Sequence, residues 1–560
     1  MPGSAAGLGR ALIVISIVGK WATTMSTTAD PLILANLIAA RCATSPHLDV
    51  LTFVDIGPKG EYLDEIRTYD QLWANGQRVA ATLDDEGMQV GDAFAIVALN
   101  HPEFVDTMVG SSIAGTVFVP IDPRTKGKKL AYMLDFAGCR GVVIGDYAAA
   151  SLLDILDDCP QLEWVWVISS HASQLPASFG ELRVRSFTEV LTRPRATDIE
   201  VRVTAADRPM QMLYTSGTTG DPKAILSPYA RFGFVASLGQ LMGLRPGDRP
   251  YTGLSLTHAN AQLITLGQTL FMGLRGVFSR RFTKSRLWDI TRHYGCTMFN
   301  LLGGMTTAIY SEPLKDDDHD NPVRYVLSAG MPATIWNEFK QRFGVEIYEF
   351  YGAAEGGLTL NPPGGPSGSI GKPPASAIGR IVDENDRDCA PGEPGEIIFR
   401  NADGSCPVIA YCKNADASAA KTAGGWLRMG DIGYQDADGW YYFLFRKGGG
   451  IRHNGDFVNP AFVEKELAEH PQVDDVFVYG VPSANGVPGE KDVVAAIVPL
   501  SRANFDAADV FRWCRTRLES SFVPTYLQVL DEIPKTASEK PQERFLLEAF
   551  KVGAANVITE

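Results

Sequence analysis

Short apolar runs alternate with amphipathic stretches through the first half of the chain. Residues 93–99 (AFAIVAL) and 116–121 (TVFVPI) are nearly continuous apolar runs, as strands buried on both faces are. Between Asp122 and Gly141, Leu130, Met133, Leu134 and Ala137 recur at helical spacing and predict a helix. Residues 142–144 and 164–168 again read as strands. This β-α-β rhythm predicts a parallel sheet with helices on its faces. A Pro/Gly-rich stretch over 361–374 (NPPGGPSGSIGKPP) precedes short strands such as 396–399, which predicts a smaller β-rich unit. A second break falls at 447–450 (KGGG); consecutive glycines have little backbone preference, as a hinge needs. Behind it, strands over 476–478, 493–498 and 527–530 and a helix over 510–518 predict a compact α+β unit. The expected fold class is α/β: a large N-terminal part over 25–447, with helix-covered sheets and a β-rich unit, and a small mobile α+β domain over 448–560.

The apolar run at 11–19 (ALIVISIVG) is too short to span a bilayer and lacks a signal-peptide cleavage pattern. A polar, cap-like start at Met25 precedes a helical apolar pattern, so residues 1–24 are expected to be a dispensable leader. No other run is long enough to cross a membrane. Of 560 residues, 45% are hydrophobic and 21% charged, which is globular usage and excludes a disordered or coiled-coil chain. The 51 basic against 65 acidic residues leave a net charge of −14, which argues against broad nucleic-acid binding. Eight cysteines, none at CxxC spacing, exclude a zinc ribbon and predict reduced thiols in a cytoplasmic protein.

The chemistry is concentrated in Leu213-Tyr-Thr-Ser-Gly-Thr-Thr-Gly-Asp-Pro-Lys223. Gly217 and Gly220 permit sharp turns and close backbone approach. The hydroxyls of Thr215, Ser216, Thr218 and Thr219 can donate to phosphate oxygens, and Lys223 adds charge. The segment does not match the Walker A spacing. On composition alone a flexible polar loop is an equal reading.

The segment resembles the phosphate-binding signature of the adenylate-forming superfamily: acyl-CoA synthetases, luciferase-like enzymes and adenylation domains. Further motifs follow in that family's order. Ser328-Ala-Gly-Met-Pro332 resembles the loop lining the adenine and acyl pockets, so Ala329, Gly330 and Met331 are carried over. Tyr351-Gly-Ala-Ala-Glu355 resembles the Tyr-Gly-x-Thr-Glu motif. With the preceding Glu349 and Phe350, it places Tyr351, Gly352, Ala353 and Ala354 at the nucleotide. Gly425-Trp-Leu-Arg-Met-Gly-Asp431 resembles the ribose motif, Arg446 the arginine before the hinge, and Pro534-Lys-Thr-Ala-Ser-Glu-Lys540 the C-terminal lysine motif. The resemblance implies that Glu355, with Thr215, holds Mg²⁺, that Tyr351 stacks on adenine, and that Asp431 accepts the ribose hydroxyls. It implies that Lys540 reaches the carboxylate and α-phosphate of ATP. It is compatible with a homodimer and implies no nucleic-acid partner.

Three positions depart from the pattern. Ala354 replaces a hydroxyl residue, Glu539 replaces the glycine before the lysine, and Gly448 stands at the hinge. A glutamate before this lysine is similar to ligases of the carnitine/crotonobetaine-CoA type. Ile451-Arg-His-Asn-Gly455 resembles the hairpin facing the pantetheine path, which nominates Arg452, His453, Asn454 and Gly455 for coenzyme A. Leu256-Thr-His-Ala-Asn260 resembles the acyl-pocket loop; His258 is the candidate gate, and Asn260, Asn300, Met305 and Gly356 border the acyl group. The asparagines favour a polar or ring-bearing acid. Residues 315–320 (KDDDHD) read as a solvated acidic loop rather than a metal cluster. The resulting expectation is an ATP- and Mg²⁺-dependent ligase joining a small-molecule carboxylic acid to coenzyme A. The alternatives are transfer to an amine or carrier thiol, and a catalytically silent nucleotide-binding protein.

Overall fold

A computed structural model describes residues 29–170, 178–195, 197–215, 223–409, 411–447, 451–453, 456–458, 460–484, 491–536 and 539–559. The expected leader, the hinge Gly448, the loop Ser216–Gly220, and Asn454 and Gly455 lie outside these residues. The chain forms two compact units. The first holds the described residues up to Thr283, with Asp289–Asn300 and Ile409–Ser418; the second holds Lys284–Trp288, Leu301–Val408 and Ala419 onward.

In the first unit, Arg183–Ser186, Trp164–Ile168, Cys139–Gly145, Ala93–Val97, Val117–Ile121, Pro209–Thr215 and Lys223–Pro228 lie side by side in that order. All neighbours are parallel except the last pair, an antiparallel hairpin. The apolar runs become strands here because helices cover both faces: Val117–Ile121 and Trp164–Ile168 are buried at every position. The predicted helix is Gly127–Ala137, whose Leu130, Met133, Leu134 and Ala137 all enter the core. A second sheet orders Tyr62–Thr68, Asp49–Ile56, Gly276–Ser279, Pro250–Thr252 and the start of Met298–Leu302. Helices Tyr69–Asp85 and Pro102–Ala114 pack closely through glycines. A Cβ on Gly110 would stand 2.3 Å from Val79 Cγ1, and one on Gly76 2.5 Å from Val109 Cγ1. Overpacking of this kind costs roughly 1–3 kcal/mol.

In the second unit, Tyr325–Ala329 runs parallel to Glu346–Ala353, which turns back antiparallel into Gly356–Asn361. The expected β-rich unit is a four-stranded antiparallel sheet of Ala377–Val382, Gly395–Asn401, Leu427–Gln435 and Tyr441–Arg446. After it comes the hairpin Ile451–His453/Asp456–Val458 and a sheet of Val473–Pro482, Lys491–Pro499, Tyr526–Val529 and Val557–Thr559. Helices Pro460–Ala468 and Ala507–Arg517 close its core through Val463, Leu467, Val510, Phe511 and Cys514. Asp506 caps the second helix by accepting from Ala508 and Asp509 N–H, worth about 1 kcal/mol. The apolar run 476–478 is only the middle of a ten-residue strand. Its polar flank is used in ion pairs: Asp474 with Lys284 at 2.8 Å and Asp475 with Lys535 at 2.6 Å. Lys465 pairs with Glu338 at 3.5 Å. These contacts tie the C-terminal α+β part to residues that precede it.

Among the described residues, no helix is long and apolar enough to cross a membrane. All eight cysteines are free. Asp318, in the acidic loop, pairs with Arg342 at 2.7 Å, and no group of three or more metal-ligating side chains occurs among the described residues.

Candidate functional site

The second unit brings together Tyr351, Glu355, Asp431, Arg446 and Lys540, residues scattered over nearly 200 positions of sequence. Register does part of this work. Asp431 and Arg446 are direct cross-strand partners, which places Arg446 Nη1 3.2 Å from Asp431 Oδ1. Tyr351, at the end of its strand, donates its hydroxyl to Asp431 Oδ2. Burial first, and then the neighbouring Asp431 carboxylate, push the Tyr351 phenol well above its ordinary range. Asp431 is 4% exposed, and its Oδ1 has no hydrogen-bond donor. A buried acceptor without a donor is costly unless something fills it. A ribose hydroxyl fits that need.

Glu355 is at the tip of a tight turn between Glu346–Ala353 and Gly356–Asn361, nearly buried at 9% exposure. Gly356 permits the return at φ 139°, a conformation L side chains rarely adopt. Glu355 exerts its field on Lys540, Lys421 and Tyr351. A single nearly buried carboxylate fits Mg²⁺, which is usually held by one or two carboxylates plus substrate phosphates.

Lys540 reaches this group from a hydrogen-bonded loop. Thr536 N–H donates to the Lys540 carbonyl at 2.8 Å, Glu539 N–H to the Thr536 carbonyl at 2.9 Å, and Lys540 N–H to Thr536 Oγ1 at 3.2 Å. Lys540 is exposed, yet it lies near enough to Arg446, Asp431 and Glu355 to feel their charges. Desolvation first, then Arg446, pull its ammonium below the ordinary lysine range, against the opposing effect of Asp431 and Glu355. Gly304 admits the loop: a Cβ there would stand 3.1 Å from the Glu539 carbonyl oxygen. Glu539, where the resemblance expects glycine, adopts φ 58°, so the backbone keeps the left-handed turn despite the side chain.

Two residues gain roles that sequence reasoning did not assign. Lys421 donates to the Met429 carbonyl at 3.1 Å and lies in the field of Glu355, Arg446, Asp431 and Glu396, its ammonium lowered chiefly by desolvation. Nothing in its sequence context marks it, since a lone lysine at a helix end is ordinarily solvated. Glu349 was carried over as a nucleotide residue, but it is 2% exposed and accepts from the N–H groups of Gly330 and Met331. It therefore shapes the 328–332 loop from beneath. Phe350 and Met331 are both buried, while Gly330 holds φ 103°. Gly352, Ala353 and Ala354 complete the strand end and turn at Glu355.

In the first unit, the residues expected to border the acyl group lie in a polar chain. Thr265 Oγ1 donates to Asn300 Oδ1 at 2.6 Å, and Asn300 Nδ2 to Asn260 Oδ1 at 2.8 Å. Asn260 N–H donates to His258 Nδ1 at 3.2 Å, which leaves the proton of a neutral imidazole on Nε2. Asn260–Leu266 is a π-helix, a form that recurs at functional sites. Thr215 and Lys223 are register partners on adjacent antiparallel strands, and Lys223 Nζ lies 5.5 Å from the Tyr411 ring centroid. Met305, Ala329 and Gly356 belong to the second unit. The expected coenzyme A hairpin exists, with Arg452 on its first strand. In this conformation His453 Nδ1 faces the Lys491 carbonyl at 2.8 Å, with Asp492 at 3.8 Å, so that nitrogen serves the fold.

The chain is similar to known proteins in sequence and in fold. Residues 39–404 match the model of the AMP-binding enzyme family, and 463–540 match the AMP-binding enzyme C-terminal domain. The chain is 29% identical over 519 residues to medium/long-chain-fatty-acid–CoA ligase FadD17 of Mycobacterium marinum, covering 90% of this chain and 95% of the relative. It is 27% identical over 482 residues to crotonobetaine/carnitine–CoA ligase of Salmonella heidelberg, covering 84% and 91%. Its fold matches the anthranilate CoA ligase AuaEII in complex with anthranoyl-AMP, with TM-score 0.78 at 24% identity, covering 95% of this chain and all of that one. A benzoate CoA ligase from Burkholderia xenovorans follows at TM-score 0.74 and 21% identity, covering 91% and 99%. With a family model spanning 39–404 of the 560 residues and its C-terminal companion behind it, the chain belongs to the AMP-binding enzyme family.

Proposed function

We propose that this protein is an ATP-dependent carboxylic acid–CoA ligase that forms an acyl-adenylate and then a thioester. The observation that carries the reading is that Lys540, Glu355, Asp431, Arg446 and Tyr351 gather near one another. A carboxylate is a weak electrophile because its oxygen is a poor leaving group. Attack of a carboxylate oxygen on the α-phosphorus of ATP expels pyrophosphate and leaves AMP as the new leaving group. Attack of the coenzyme A sulfur on the acyl carbon, with loss of the thiol proton, then releases AMP. The barriers are chiefly those of positioning and charge neutralisation. Lys540 supplies a retractable point charge for the α-phosphate and carboxylate oxygens. Asp431 accepts the ribose hydroxyls, Tyr351 stacks on adenine, and Glu355 would hold Mg²⁺. That ion would neutralise phosphate charge.

The named relatives support coenzyme A as acceptor: FadD17 is a fatty-acid–CoA ligase and the Salmonella protein a crotonobetaine/carnitine–CoA ligase. The test is pyrophosphate release from ATP and Mg²⁺ over fatty, aryl, steroid-side-chain and carnitine-like acids, with and without coenzyme A. Release that requires one acid class and multiplies with coenzyme A is the expected result. Acid-dependent release that coenzyme A leaves unchanged would replace the acceptor by an amine or carrier thiol. Nucleotide binding with no release for any acid would support a silent nucleotide-binding protein.

A further inference from the structure

A row of three buried polar side chains crosses the sheet beneath the 328–332 loop. Ser328, Glu349 and Asn361 are register partners on adjacent strands, at 0%, 2% and 0% exposure. Side chains paired in this way share one face of a sheet. Glu349 Oε1 and Oε2 accept from the N–H groups of Gly330 and Met331. The Ser328 hydroxyl, with no other partner, lies against the same carboxyl. Asn361 spends Nδ2 on the carbonyls of Pro366 and Ser369, and its Oδ1 is unpartnered.

We propose that Glu349 is a positioning residue for nucleotide binding: its buried carboxyl fixes the Gly330–Met331 peptide, and through it the loop that meets the nucleotide. This rests on the proposed reading of that loop.

The carboxyl does this work without a cation. The groups facing it from the strands and loop packed around it are Ser328, Asn361, Gly330 and Met331, all uncharged. The helix Trp336–Phe343 buries Trp336, Phe339 and Phe343, and its Lys340 and Arg342 are paired with Glu346 and Asp318. Burial accordingly pushes the Glu349 carboxyl up to about 8, although the backbone N–H groups and Ser328 pull the other way. A neutral carboxyl has an O–H to donate as well as oxygens that accept, and the row already holds unpartnered oxygens on both sides. As pH rises through 8 the proton leaves. A buried charge with no counter-ion is costly, and the loop must open to water to relieve it.

The experiment combines AMP titration calorimetry at pH 7 and pH 9 with amide hydrogen exchange of the 325–336 segment. Both are run on the full chain as wild type, E349Q and E349A. In the wild type, AMP affinity falls at least fivefold from pH 7 to pH 9. E349A exchanges the Gly330 and Met331 amides at least tenfold faster than wild type, after correction for intrinsic rates, and weakens AMP binding at both pH values. E349Q keeps acceptor and donor, so it restores amide protection and removes the fall at pH 9. Amide protection unchanged in E349A, or an alkaline fall that persists in E349Q, would overturn the proposal. If E349A does not fold, E349Q and the wild type decide it through the pH comparison. Wild type that binds no AMP would refute the nucleotide reading itself. Fast Gly330 and Met331 exchange in E349A alone would then still support the positioning of this loop, and unchanged exchange would sink it.

Discussion

Replacing Asp431 by asparagine tests the nucleotide cleft at its best-defined atom. The substitution preserves shape and removes charge. Asp431 is 4% exposed, accepts the Tyr351 hydroxyl and faces Arg446 at 3.2 Å, and its Oδ1 still lacks a hydrogen-bond donor. A hydrogen bond to a charged group contributes about 1.5–3 kcal/mol, and a neutral one about 0.5–1.5. Two ribose hydroxyls that lose this difference weaken binding by roughly 2–3 kcal/mol, or about 30- to 150-fold. The Arg446 pair adds little, because the arginine side chain is 56% exposed and exposed pairs are screened. Calorimetric titration of AMP reads the loss, and a thermal scan separates lost binding from lost folding. The wild type should bind 2′-deoxy-AMP more weakly than AMP, whereas Asp431→Asn should discriminate much less. An AMP dissociation constant within threefold of wild type, in a folded variant, would refute the ribose assignment.

Three further expectations follow from the same cleft. Lys540→Ala should lower acid-dependent pyrophosphate exchange by at least about 100-fold, the scale of one lost electrostatic donor, while AMP still binds. Because burial and Arg446 hold the Lys540 ammonium below the ordinary lysine range, exchange should fall on the alkaline side as that proton leaves. Lys540→Arg should be slower but lack that alkaline limb, and a limb that persists would assign it to another group. Lys284→Ala with Lys465→Ala removes the pairs to Asp474 and Glu338; at about 0.2–1 kcal/mol per pair, the adenylation rate should drop about 2- to 30-fold. Thioester formation from preformed adenylate should not drop, and single-turnover kinetics of the two half-reactions would show it. Glu539→Gly should raise the melting temperature by a degree or two, since a left-handed non-glycine residue costs roughly 1–2 kcal/mol and glycine returns part of that as chain entropy. A lower melting temperature would mean that the Glu539 side chain stabilises the turn.

The sequence alone determined what depends on local pattern. The Ala93–Val97, Val117–Ile121 and Trp164–Ile168 strands were legible because strands buried on both faces leave continuous apolar runs. The motif residues Tyr351, Glu355, Asp431, Arg446 and Lys540 were legible because the motifs that hold them resemble, in the same order, those of the adenylate-forming superfamily. Other features depend on which atoms come together, and only the tertiary structure decided them. Lys421 enters the field of Glu355 and Asp431 through packing, not through any local signal. Glu349 bonds the loop backbone, because the middle of its strand is buried and its carboxyl meets the Gly330 and Met331 N–H groups there. His453 satisfies the Lys491 carbonyl, and Asp474 and Asp475 extend a strand whose apolar run is much shorter. Hydrophobic periodicity records which face of an element is buried. Desolvation and charge pairing depend on distances between residues far apart in the chain, and those distances exist only once the chain has folded.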